Sequence, residues 1–119
     1  MIRVYICHPY RNDLLKNIEK VKKIVVNIAM ENVEKMREAD IENKSYYHIY
    51  CPVSPMLAFP FEMTEYSGAN ISAEHGMAFC LSLLDTCEEI WVFSKEVTEG
   101  MKKEIEHSST KRIKIVWKV

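Results

Sequence analysis

Three short segments of this 119-residue chain carry side chains suited to chemistry. The first is Tyr5-Ile6-Cys7-His8-Pro9-Tyr10-Arg11. Arg11 offers a planar fork to a phosphate or carboxylate. His8 offers a hydrogen bond or a proton near neutral pH. A plainer reading is equally open: His8 and Tyr10 cover the next helix, and Arg11 pairs with Asp13. The second segment is the apolar stretch Pro55-Met56-Leu57-Ala58-Phe59-Pro60. The third is Thr98-Glu99-Gly100-Met101-Lys102-Lys103-Glu104. Gly100 admits close approach of a ligand near a helix N-terminus, where free N–H groups favour anions. Glu104 follows one turn later on the same face. Taken alone, a glutamate on a helix is a solvated surface residue, and spacing does not lift Glu104 above that.

Other chemistries find no support. His8, His48, His75 and His107 lie on separate segments without ligand spacing, so no metal is expected. His75 and His107 read as helix-surface residues. Gly68 follows no strand–turn–helix pattern, and no dinucleotide fingerprint is present, so no cofactor is expected. Tyr46, Tyr47 and Tyr50 serve a strand better than they would stack bases.

The elements that must position these segments follow from periodicity. Arg3–Cys7 is a β-rich run, and Pro9 bars a helix before it. Asn12 or Asp13 can cap the helix that comes next. Its apolar face is Leu14, Ile18, Val21, Val25 and Ile28. Its other face, with Lys16, Glu19, Lys20, Lys22 and Lys23, is solvated. The very polar stretch from Glu31 to Asn43 is a weak extension of this helix or an ordered loop. Tyr46–Cys51 is the second strand. Pro52, Pro55 and Pro60 then make Val53–Asn70 a long loop, too apolar for a free linker. A helix over Ser72–Thr86 has Ser72 as N-cap and a buried stripe of Ala73, Met77, Leu81 and Leu84. Glu89–Phe93 is an apolar strand covered on both faces. Thr98 caps a helix from Glu99 to about His107, and Arg112–Trp117 is the last strand.

This alternation predicts an α/β chain with a parallel sheet and right-handed crossovers. Ligands of such sheets bind beyond the carboxyl ends of the strands, where all three segments converge. The length suits one domain over residues 1–119. Apolar residues at 48% and charged residues at 28% are globular proportions. A formal net charge of −1 gives no reason to expect nucleic acid or an acidic membrane as partner. No apolar stretch approaches the roughly 20 residues of a membrane span. Cys7, Cys51, Cys80 and Cys87 form no C-x-x-C pair and fit reduced thiols in a cytoplasmic protein.

Four motifs carry a resemblance. They are Cys7-His8-Pro9-Tyr10-Arg11; Ser54-Pro55-Met56-Leu57-Ala58-Phe59-Pro60; Cys87-Glu88-Glu89-Ile90-Trp91-Val92-Phe93; and Glu99-Gly100-Met101-Lys102-Lys103-Glu104-Ile105. In this order they are similar to a small bacterial and phage branch of the nucleoside 2-deoxyribosyltransferase-like superfamily. The resemblance implies a Rossmann-like or flavodoxin-like three-layer fold with a parallel sheet of four to five strands. It implies that Glu104 attacks the anomeric carbon of a nucleoside or nucleotide while Tyr5 holds its carboxylate, with a glycosyl-enzyme as intermediate. It implies substrate contacts from His8, Pro9, Tyr10, Arg11, Pro55, Met56, Phe59, Thr98, Glu99, Gly100 and Met101. It also implies a homodimer or higher homo-oligomer, with the loop from Met56 to Tyr66 as a contact. Thr98 and Glu99 stand where the enzymes carry an Asp before the Gly turn, and Met56 stands where the branch carries a His. Two other functions fit the same residues: a catalytically inactive protein that senses or sequesters a nucleotide-derived signal, and a module that binds a protein partner.

Overall fold

In the computed structural model, which describes residues 1–60 and 70–119, four parallel strands lie between helices. The strands are β1 (Ile2–Cys7), β2 (Tyr50–Val53), β3 (Glu89–Val92) and β4 (Lys114–Trp117). The helices are α1 (Leu14–Ile41), α2 (Pro55–Ala58), α3 (Ala73–Leu84) and α4 (Glu99–Thr110). The strand order is β2-β1-β3-β4, the flavodoxin-like arrangement. The chain leaves β1 for a neighbour on one side and later returns to its other side. The crevice beyond the carboxyl ends of β1 and β3 is therefore the switch point where ligands of such folds bind.

The period-2 alternation of β1 divides the core into two layers. Val4 and Ile6 pack with Val21 and Ile28 of α1 and with Trp91. Tyr5 and Cys7 pack with Leu84 of α3, Met101 of α4, Ile90 and Val92. So α1 covers one face of the sheet, and α3 and α4 cover the other. Every residue of β3 is buried, which explains the apolar run Ile90-Trp91-Val92 after Glu89.

Several boundaries differ from those the sequence suggests, each for a local reason. The polar stretch from Glu31 onward stays helical, and α1 runs without a break to Ile41. Asn32 and Ala39 are buried there. The Asn32 amide donates to the Ile28 carbonyl at 2.7 Å, and its Oδ1 accepts from the Tyr50 N–H at 2.8 Å. One side chain thus ties the middle of α1 to the start of β2. The residues before Tyr50 form a turn closed by Ile49 N–H to the Tyr46 carbonyl at 3.0 Å, so β2 begins later and extends past Pro52. Proline is tolerated because β2 is an edge strand, where a missing N–H breaks no ladder on the open side.

The long loop contains α2, opened by Ser54, whose Oγ accepts from the Leu57 N–H at 3.3 Å. Asp13 stands at the N-cap position of α1, but without the side-chain bond expected of a cap. Asn12 and Asp13 both sit at positive φ, 58° and 70°. Within the stripe expected to be buried on α3, only Leu84 is. Ala73 is exposed and Met77 half-buried, because both face the cleft described next. Part of the loop expected as a subunit contact, with Met63 and Tyr66, and also Gly68, lies outside the described residues.

Candidate active site

A cleft of about 600 Å³ opens beyond the carboxyl ends of the strands. Glu104 lies in its wall and is 7% exposed. The helix that carries it starts at Thr98, whose Oγ1 accepts from the Met101 N–H at 3.3 Å. One turn of α4 then turns Glu104 inward, where β1 supplies its partners. The Tyr5 hydroxyl donates to Oε2, and the Cys7 thiol donates to Oε1 at 3.7 Å. Odd positions of β1 therefore serve the carboxylate, and both residues are fully buried.

Burial pushes the Glu104 carboxyl up to about 7, while the hydrogen bonds from Tyr5 and Cys7 pull it down. Burial also raises Tyr5 far above the ordinary phenol range, and the Glu104 charge raises it further. Cys7 rises for the same two reasons. Both therefore keep their protons and act as donors at neutral pH. Cys80, from α3, is pushed up to about 11, first by burial and then by Glu104, while the Tyr5 hydroxyl pulls it back. The result is one ionisable carboxyl held by neutral donors in a poorly solvated wall.

Removing the Tyr5 hydroxyl tests this balance. A hydrogen bond to a charged group contributes roughly 1.5–3 kcal/mol, or about one to two pKa units. In Tyr5→Phe the Glu104 carboxyl is expected to titrate about one unit or more higher than in the wild type, followed by NMR of labelled glutamate. An unchanged midpoint would mean that the phenol does not favour the charged form.

The other sequence-derived candidates sort by element. From the turn after β1, His8, Tyr10 and Arg11 line the cleft. Pro9 does not, but its carbonyl accepts from His8 Nδ1 at 2.8 Å. From the segment after β2, Pro55, Met56 and Phe59 line it. At the start of α4, Thr98, Glu99, Gly100 and Met101 do so as well. Tyr5 lies behind Glu104 and reaches the site through it. A methyl at Gly100 would meet the flexible end of Met77 at 3.4 Å, a van der Waals distance. His107 is not a free surface residue, since Nε2 pairs with Asp85 at 2.6 Å.

Sequence reasoning missed two sets of residues. The first is the cleft-facing row of α3, Ala73, Gly76, Met77 and Cys80, joined by Phe79, whose ring lies 6.1 Å from that of Phe59. Its signal was present as a helical stripe but was indistinguishable from a core stripe. The second is Asn17, buried on α1, whose amide donates to the carbonyls of Tyr10, Arg11 and Asn12 at 3.1–3.3 Å. It fixes the turn that carries His8, Tyr10 and Arg11. Its signal was an asparagine within an otherwise helical pattern, close to the buried position Val21.

No curated protein matches the chain. Among solved structures, the fold is similar to that of a 2-deoxyribosyltransferase from the psychrotolerant bacterium Bacillus psychrosaccharolyticus, characterised as a biocatalyst for nucleoside synthesis. The TM-score is 0.56 at 12% identity, over 97% of this chain and 70% of that one. Among the described residues no helix is long and apolar enough to cross a membrane. The family model described as a domain of unknown function (DUF7768) matches residues 27–118, and the chain belongs to that family.

Proposed function

We propose that this protein cleaves or transfers at the N-glycosidic bond of a nucleoside or nucleotide, with Glu104 as nucleophile. One observation carries the reading: a buried carboxylate whose two oxygens accept from Tyr5 and Cys7 stands in the wall of a cleft at the switch point of the sheet. The thiol at 3.7 Å is a weak donor, so Oε1 keeps most of its nucleophilic character. Oε1 attacks the anomeric carbon, and the C–N bond breaks. Its electron pair goes to the base, which takes a proton from solvent. The glycosyl-enzyme then passes its sugar to water or to a second base, as in other two-step covalent mechanisms. The fold likeness to a 2-deoxyribosyltransferase supports this reading at the level of architecture. The apolar walls of Met56, Phe59 and Met77 suit the flat face of a base.

The test is base release from a panel of ribonucleosides, deoxyribonucleosides and their 5′-monophosphates. Release is expected from at least one of them. The nucleophile must be ionised, so kcat/KM is expected to rise with pH through about 7. No release from any compound, with melting temperatures still raised by nucleotides, would replace the enzyme with a binding protein.

A further inference from the structure

We infer that His8 is the general base that delivers water to the glycosyl-enzyme, so that the reaction ends in hydrolysis. This rests on the function proposed above and adds the residue for its second half.

The orientation of the ring carries the argument. His8 Nδ1 lies 2.8 Å from the Pro9 carbonyl. A carbonyl oxygen only accepts, so Nδ1 holds the proton of the neutral ring. Nε2 is then left with a bare lone pair. His8 lines the same cleft as Glu104, and a ring in this state accepts a proton from water rather than donating one. The ring is an acceptor in this state, not the proton donor its residue type alone would equally allow.

The two groups also reach the cleft from different elements. Glu104 comes from α4 and bonds to Tyr5 and Cys7, on the sheet face covered by α3 and α4. His8 comes from the turn after β1, and Lys20 of α1 is the charge that acts on its ring. Double displacement requires water to reach the anomeric carbon from the side opposite the carboxylate, a role for a base that is not on α4. The protonation state agrees. Burial lowers the pKa of His8 and Lys20 lowers it further, against the opposing effect of the Pro9 carbonyl. Glu99, Lys103 and Glu104 of α4 are the charged residues of that helix lining the same cleft. At neutral pH the ring is an uncharged base.

The step balances as follows. Water transfers one proton to His8 Nε2 as its oxygen bonds to the anomeric carbon. The bond from that carbon to Glu104 Oε1 breaks, and its electron pair returns to the carboxylate. The sugar leaves with a free anomeric hydroxyl, and the proton on His8 passes to solvent.

The experiment is rapid-mixing and steady-state base release by wild type, His8→Gln and His8→Asn, using the best compound of the panel, with intact-protein mass spectrometry. In both variants a first turnover of about one base per chain is expected to survive. Steady-state release should fall about 10²-fold, and a sugar adduct should accumulate on the protein. The surviving burst also shows that the variants fold. Wild-type steady-state rates from both variants, without adduct, would overturn the inference and leave the proposed function standing. Equal loss of burst and steady state in folded variants would overturn it too, by placing His8 in the first step. No release by the wild type overturns the proposed function and this inference with it.

Discussion

Glu104→Gln is expected to abolish base release, with a loss of at least about 10³-fold in kcat. The change is nearly isosteric. An amide oxygen can still accept from the Tyr5 hydroxyl, so the wall of the cleft keeps its shape. What disappears is the negative charge that would form the bond to the anomeric carbon. Substrate affinity, measured by thermal shift or calorimetry, should change far less than turnover. Release within a few-fold of wild type would mean that another group performs the chemistry, or that Glu104 is a structural carboxyl. Glu104→Ala extends the test by opening space for azide. Restored release with a glycosyl azide product would identify the missing group as the nucleophile.

The same substitution is expected to stabilise the protein at alkaline pH. The Glu104 carboxyl rises from its ordinary 4.5 to about 7 on folding, mainly through burial. Between those values the folded state binds more protons than the unfolded state. Stability from this group therefore falls as pH rises. Below about pH 4.5 the group is protonated in both states and contributes no difference. Above about pH 7 the folded protein carries the full cost of a buried charge, on the order of 3 kcal/mol. Glutamine carries no charge at any pH. In urea unfolding, Glu104→Gln should therefore match wild type near pH 4.5 and exceed it by up to about 3 kcal/mol at pH 8. The corresponding rise in Tm is roughly 10 °C. A variant less stable than wild type at pH 8 would show that the ionised carboxylate is fully compensated by Tyr5 and Cys7. In the role proposed for it, Glu104 would be held at the expense of stability, the usual compromise of an active site.

The architecture was legible because strand and helix periods alternate cleanly along the chain. β1, β3 and α4 were readable from residue type alone, with Thr98 capping α4 as expected. The second half of α1 was not, because it is held by tertiary contacts, from Asn32 to the Tyr50 N–H and from Asp40 to the Tyr46 hydroxyl. The start of β2 was misplaced for a related reason. Tyr46, Tyr47 and Ile49 have strand-forming side chains, but the backbone turns there, and proline is permitted only because the strand is an edge. The environment of Glu104 was beyond residue type and spacing, and only the resemblance pointed to Tyr5 as its partner. Its residue type suggested a surface carboxylate, and only packing against β1 buries it beside Tyr5 and Cys7. His8 was recognised as polar and near the site. Which of its nitrogens holds the proton depends on the position of the Pro9 carbonyl, which no pattern of residues encodes.

Pro52 bears on how the molecule behaves in a crowded solution. The open rim of a sheet is a template on which another chain can add a strand, the first step toward aggregates. On the rim formed by β2, a pyrrolidine ring replaces one of only four backbone donors. The opposite rim, β4, begins with exposed Lys114, whose charge disfavours close apposition of a second copy. The two edge strands of this short sheet thus carry a ring on one and a charge on the other, both of which oppose growth.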